Sequence, residues 1–270
     1  MNPFWCEYPR DFVAVRGADA LTYLQSQISQ DIRGLAVGAS AYSFVLQPTG
    51  KIEALLRVNR VGEEEFILDV DPGYGAAVIA RLNRFKIRVS VDIGAAIWRC
   101  IAVRDVAVLP DNPVPAWGLT TGYDLIGADP RPPVGIAAGT DEQLHAARID
   151  AGWPAMGTEI TDASIPAETG VTDLAVNFTK GCYPGQELVE RMDSRGSAAP
   201  RSVRVVRGTG TVHTGDELHH DGKVVGRITS LSALPERWSA LAMVARAVEP
   251  GDTLSINAAE ILVEPAHTRT

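Results

Sequence analysis

The chain reads as an α+β protein with a small β-barrel at its C-terminal end, and three observations lead to that class. Helix-like and strand-like periodicities mix through the first part of the sequence. Two proline-rich breaks interrupt them. Beyond Pro200, short β segments separated by Gly and Asp turns take over.

From Gly17 the sequence runs Ala-Asp-Ala-Leu-Thr-Tyr-Leu-Gln-Ser-Gln-Ile28, which puts Leu21, Leu24 and Ile28 on one helical stripe. Asp19 is placed to satisfy the orphan amides at the start of that helix. Tyr42–Gln47 and Ile52–Val58 alternate like strands, and Pro48-Thr-Gly-Lys51 between them favours a chain reversal, so a hairpin is expected. Glu65–Val70 adds a third strand, and Val78, Leu82 and Phe85 give Tyr74–Phe85 a helical spacing. Two more strands are expected near Ile87–Val91 and Ile97–Val103.

Pro110-Asp-Asn-Pro-Val-Pro115 and Asp129-Pro-Arg-Pro-Pro133 cannot sit inside regular ladders and read as loops or subdomain crossings. A further helix begins at Thr140, with Gln143 completing a capping box, and ends near Gly152, which puts Arg148 and Asp150 in its last turn. Past Pro200, Ser202–Val206, a hairpin around Asp221-Gly222 and Ala240–Val244 supply the barrel. The echo of Gly215-Asp-Glu-Leu218 in Gly251-Asp-Thr-Leu254 is turn chemistry, too short to be a repeat.

Composition narrows the function classes. A hydrophobic content of 46% supplies ample core for more than one unit. Twenty-five basic against 33 acidic residues leave a net charge of −8, which disfavours nucleic acid as a bulk partner. No run is apolar enough to span a bilayer and no signal core follows Met1, so the chain is expected to be soluble and cytoplasmic, with no membrane partner. The three cysteines, Cys6, Cys100 and Cys182, are odd in number and far apart, which fits a reducing compartment and no zinc knuckle.

The segment Val176-Asn-Phe-Thr-Lys-Gly-Cys-Tyr-Pro-Gly-Gln-Glu-Leu-Val-Glu-Arg-Met-Asp-Ser-Arg-Gly196 carries the chemistry. A β-like entry gives way to a glycine-flanked loop and then to a short helix that holds Leu188 and Met192 together. Gly181 and Gly185 open backbone conformations closed to other residues, and Lys180 with the following helix amides favours a thiolate at Cys182. Local chemistry alone favours a second reading, in which Cys182 is a small apolar residue buried in a tight turn. None of the five histidines stands in a nucleophile-partner signature, which argues against a cysteine hydrolase. Gly208-Thr-Gly210 lacks the third glycine and the helix of a dinucleotide fingerprint, and His219-His220 face opposite ways on a strand.

Lys180-Gly-Cys-Tyr-Pro-Gly-Gln-Glu-Leu-Val-Glu-Arg191, continuing to Arg195-Gly196, resembles the signature of the YgfZ family of folate-dependent iron–sulfur proteins. Gly17-Ala-Asp-Ala, Tyr23-Leu-Gln, Asp31, Gln47-Pro-Thr-Gly-Lys51 and Arg148-Ile-Asp-Ala-Gly152 look like the ordered landmarks of the same family, so the resemblance spans most of the chain. It implies the fold of the glycine-cleavage aminomethyltransferase (GcvT), a folate-binding α+β module of two intertwined subdomains over residues 1–198 and a β-barrel over 199–270. It also implies a tetrahydrofolate, or a one-carbon-substituted folate, as cofactor and iron–sulfur client or assembly proteins as partners.

By that resemblance Cys182 is the functional thiol, with Lys180 beside it. Asp150 stands where the family's Arg-Ile-Glu-Ala-Gly landmark has the pterin-contacting acid, one methylene longer. Arg148 accompanies it, Glu168 lines the channel, and Arg191 and Arg195 hold the glutamate tail. One cysteine cannot supply the four thiolates of a stable cluster, and no resident metal is expected. Two other functions remain, an aminomethyltransferase-like one-carbon transfer enzyme and a noncatalytic folate-sensing scaffold. The aspartate that assists transfer in the transferases has no secure counterpart here; Asp71 lies in the corresponding stretch.

Overall fold

The computed structural model describes residues 2–110, 113–194, 199–233, 237–257 and 259–265. In chain order its elements are β1 (Phe4–Glu7), β2 (Asp11–Arg16), α1 (Ala20–Gln27), β3 (Ser40–Leu46), β4 (Ile52–Gly62), β5 (Glu65–Val70), α2 (Gly75–Arg84) and β6 (Asp92–Ala95). There follow β7 (Arg99–Arg104), β8 (Val114–Ala116), β9 (Leu119–Gly127), β10 (Ala137–Ala138), α3 (Asp141–Asp150), α4 (Thr172–Ala175) and α5 (Gln186–Ser194). The last strands are β11 (Arg201–Gly208), β12 (Glu217–His220), β13 (Lys223–Ala233), β14 (Trp238–Ala245), β15 (Thr253–Ile256) and β16 (Ala259–Pro265). Two compact units result, the first made of Met1–Thr140 with Asp173–Glu187 and the second of Asp141–Thr172 with Leu188–Thr270.

The first unit holds two five-stranded sheets, ordered β3-β4-β5-β2-β6 and β10-β1-β7-β9-β8. Period-2 alternation gives the first of these sheets two different faces. Ala54, Leu56 and Val58 of β4 and Phe66, Leu68 and Val70 of β5 join Leu24 of α1 and Val78 and Leu82 of α2 in one core. Each fully buried Leu, Val or Phe there contributes about 1.5–3 kcal/mol relative to exposure. The intervening residues Arg57, Asn59, Ile67 and Asp69 are equally buried on the opposite face, where Phe12, Ala14 and Ile67 pack with Cys100 of the second sheet.

That second interface is polar at its centre. Arg57 and Asp69 are direct cross-strand partners. The Arg57 guanidinium donates to Asp69 at 2.9 and 3.2 Å, to Asp124 of β9 at 2.7 Å and to the Pro115 carbonyl of β8 at 2.5 Å. Asp69 also accepts from Arg10 at 3.0 Å and from Asn59 at 2.8 Å; Arg10 reaches Asp71, and Arg104 donates to Asp124 at 2.8 Å. Arg10, Arg57 and Arg104 thus balance Asp69, Asp71 and Asp124. Burial pushes the Asp69 carboxyl up, but Arg57 and then Arg10, with the Asn59 hydrogen bond, outweigh it and hold it below the usual carboxylate range.

The second unit contains a closed barrel, β11-β14-β13-β12-β15-β16. Val206, Leu218, Ile228, Trp238, Ala242, Leu254 and Val263 fill it, while Val203, Val205 and Leu241 on its outside receive Ile149 of α3. No helix among the described residues is long and apolar enough to cross a membrane.

The α+β class, the 47–51 hairpin and the C-terminal barrel follow the sequence expectations, and several details depart from them. Asp19 does not cap α1; its carboxylate accepts from the Ser90 amide at 2.7 Å and ties the helix start to a distant turn. Residues 87–91 form no strand, because Arg88 takes φ 54° and Ile87 faces solvent; the strand is β6, a few residues later. Pro115 does lie in a ladder, at the sheet edge in β8, where its missing N–H costs nothing. Strands β1, β2 and β9 were not anticipated, and the β-like entry expected at Val176 is instead the short helix α4 followed by turns.

Replacing Arg57 by Ala leaves buried Asp69 and Asp124 undercompensated, and denaturant titration should show a loss of about 3–5 kcal/mol. Because the Asp69 carboxyl is depressed on folding, its contribution is complete above the unfolded value of about 3.9 and is lost as pH falls below it. Stability measured from neutral pH downward should therefore drop in acid, and Asp69→Asn should flatten part of that slope.

Candidate functional site

Cys182 lies on a loop of the first unit that is tied down at both ends. On the entering side, the Ser29 hydroxyl donates to the Ala175 carbonyl at 2.6 Å, the Gln30 amide to the Leu174 carbonyl at 2.8 Å, and the Asn177 N–H to the Ser29 carbonyl at 3.0 Å. The Asn177 carboxamide oxygen then accepts from the Thr179 N–H at 2.9 Å, a local Asx turn.

Lys180 is 8% exposed and its ammonium is surrounded by carbonyls. It donates to Gln25, Ile28 and Gln30 at 2.8, 2.6 and 3.0 Å, the backbone oxygens left over where α1 ends. Burial lowers its pKa to about 8, with Asp31 acting against that shift and Arg33 adding to it. The Tyr183 ring lies 5.2 Å from the same ammonium.

On the leaving side, the Tyr183 N–H donates to the Gln186 side chain at 2.8 Å, which sets the start of α5. Gly185 takes φ 84°, and a Cβ there would come within 2.5 Å of the Gln47 carbonyl and 3.0 Å of Gly50. Only glycine meets both demands. Residues 25–30 and 47–50, far apart in sequence, are thereby both joined to the 174–185 segment.

On this braced loop Cys182 is exposed, which removes the reading of it as a buried turn residue. Cys6 and Cys100 are buried, Cys6 donating to the Thr140 carbonyl at 3.3 Å, and burial pushes the Cys100 thiol well up. Of the three thiols, Cys182 alone is open to a reagent or a partner.

The remaining sequence-selected residues belong to the second unit. Arg148 donates to the Trp153 carbonyl at 2.7 Å, to Glu159 at 3.1 Å and to Ser230 of β13 at 2.8 Å, so it frames the junction of α3 and the barrel. Glu168 is buried and accepts from the Ile165 N–H at 3.2 Å and from Arg201 at 2.9 Å. Asp150 is exposed at the end of α3, with one oxygen 3.2 Å from Arg207. Arg191 is exposed on α5, and Arg195 lies outside the described residues.

Sequence reasoning missed Glu159, 2% exposed and the acceptor for Arg148, Ser230 and the Ala155 N–H. It also missed the Arg57–Asp69–Asp124 network. The signal was present, since Arg57 and Asp69 interrupt otherwise apolar strands, Leu-Leu-Arg-Val and Ile-Leu-Asp-Val. A charge on such a strand needs a buried partner.

No family model matches the chain. An aminomethyltransferase T of the glycine cleavage system from Bartonella henselae superposes with a TM-score of 0.77 over 98% of this chain and 85% of its own, at 17% sequence identity. The fold is therefore that of the aminomethyltransferases.

Sequence relatives are more specific. An uncharacterized protein of Haemophilus influenzae is 29% identical over 187 residues, 68% of this chain and 66% of that protein. A tRNA-modifying protein YgfZ of Cronobacter sakazakii is 26% identical over 237 residues, 73% and 68% of the two chains. A mitochondrial iron-sulfur cluster assembly factor IBA57 homolog of Neurospora crassa is 23% identical over 230 residues, 71% of this chain and 51% of that one. This chain thus spans about half to two thirds of the length of these relatives. It is similar in sequence to proteins named YgfZ and IBA57 and has the aminomethyltransferase fold.

In the folded protein, a maleimide should label Cys182 within minutes, while Cys6 and Cys100 should react only after unfolding. Peptide mass spectrometry of native and denatured samples reads both.

Proposed function

We propose that this chain binds a tetrahydrofolate, or a one-carbon-substituted folate, and assists the assembly or repair of iron–sulfur clusters in client enzymes, with Cys182 as the working thiol. The observation that carries the reading is the exposure of Cys182 on a loop braced at both ends, where an idle surface thiol would need no such support. Similarity to proteins named for iron–sulfur assembly and the aminomethyltransferase fold support it.

For the folate, Asp150 and Arg191 are the side chains with capacity to spare. A carboxylate suits the adjacent N–H donors of a pterin edge, and an exposed guanidinium suits the carboxylates of a glutamate tail. Arg148 and Glu168, filled by their own partners, serve as the frame around them. Arg195 is assigned to the same tail by its motif position. When bound, the folate supplies a one-carbon carrier.

A cluster is cargo in this reading, not a resident group. One exposed cysteine offers one thiolate, so the remaining ligands come from the client or from an assembly partner. Lys180 acts with Cys182 by holding the loop that carries it.

A strain lacking this gene, complemented with wild type or Cys182→Ala and assayed through several iron–sulfur enzymes, tests the thiol. The variant should fail to restore their activities; full restoration would sink the claim. Calorimetry should register tetrahydrofolate binding, weakened about tenfold or more by Asp150→Ala. Formation of methylene-tetrahydrofolate from an aminomethyl-loaded lipoyl carrier would instead favour the transferase.

A further inference from the structure

We infer that Lys180 is a positioning residue for Cys182, and that it acts by clasping the carbonyl end of α1. The inference rests on the proposed role of the thiol for its functional meaning, while the clasp itself stands on geometry. An ammonium has three N–H donors, and the three short bonds to Gln25, Ile28 and Gln30 use all of them. None is left to donate to a thiolate or to a reacting group. The charge is directed at the negative end of the helix dipole, the position where a cation stabilises a helix terminus.

The clasp sits at the start of the loop, two residues before the thiol. At the other end Gly185 rests against Gln47 and Gly50, so residues 180–185 are suspended between two fixed points. Asp31 and Arg33, which pair with each other at 2.5 Å, and the Tyr183 ring are the other groups acting on the ammonium. Neither end depends on the side chain of Cys182. The loop should therefore keep its shape when the thiol is removed and lose it when the clasp is removed.

The test uses the full chain with Lys180→Met, Lys180→Arg and Cys182→Ala, reading amide hydrogen exchange over 174–187 and the maleimide-labelling rate of Cys182 against pH. Lys180→Met should raise exchange at the Asn177 and Tyr183 amides about tenfold or more. Lys180→Arg should recover part of that protection, because a guanidinium can donate to the same carbonyls; Cys182→Ala should leave it unchanged. The pH midpoint of labelling should stay where it is in Lys180→Met.

Exchange in Lys180→Met within about twofold of wild type would overturn the clasp. A displaced labelling midpoint with unchanged exchange would make Lys180 an electrostatic activator instead. If Lys180→Met fails to fold, Lys180→Arg and Lys180→Gln carry the comparison, and the clasp is wrong if Gln protects as well as Lys. Full complementation by Cys182→Ala alongside a loosened loop in Lys180→Met would remove the function assigned to the thiol and leave the clasp intact.

Discussion

The first unit depends on one buried guanidinium. Arg57 comes from the middle of β4, pairs with Asp69 in its own sheet and reaches across to Asp124 in the other. Two sheets with polar centres would not pack face to face unless each charge found its complement, because a buried charge left alone costs several kcal/mol. Here three arginines meet three aspartates, Asn59 donates to Asp69, and the Pro115 carbonyl accepts from Arg57 and from Tyr42. Apolar side chains would have held the sheets at least as firmly; the charged arrangement adds register, since a slip of one residue along either strand would separate Arg57 from both partners.

Much of this architecture was legible in the sequence, and the parts that were not share a cause. Elements whose periodicity matches one face of burial, such as α2 with Val78 and Leu82 or the hairpin at 47–51, were readable because local pattern and tertiary packing agree. Failures came where a distant partner decided the outcome. Asp19 looks like a helix cap but answers to Ser90, and Pro115 looks like a loop residue but sits on an edge that tolerates it. Arg57 and Asp69 stand out as charges within apolar strands, but their partner Asp124 comes from a second sheet that the sequence does not place beside them.

The candidate site shows the same division. Spacing alone left Cys182 between a buried turn residue and a presented thiol, and its exposure decides between them. Lys180 was expected beside the thiol as an influence on its charge, whereas its ammonium is turned into the end of α1. Asp150 and Arg148, neighbours in one motif, have different circumstances: Arg148 is enclosed by Trp153, Glu159 and Ser230, and Asp150 stands at the surface. A motif marks which residues matter together without telling which of them touches the ligand and which supports the one that does.

The bonds from Lys180 close contacts between residues 150 to 155 positions apart in the sequence. Contacts of such separation are slow to gain, because the chain between them must be ordered first. During synthesis α1 and the 47–51 turn emerge long before residue 180, so their receptor surfaces wait, empty, for a segment still to be translated. The thiol acquires its setting only once nearly the whole first unit is in place. Its presentation therefore reports on the completeness of the fold, and a truncated or half-opened copy would carry the same cysteine without offering it in the same way.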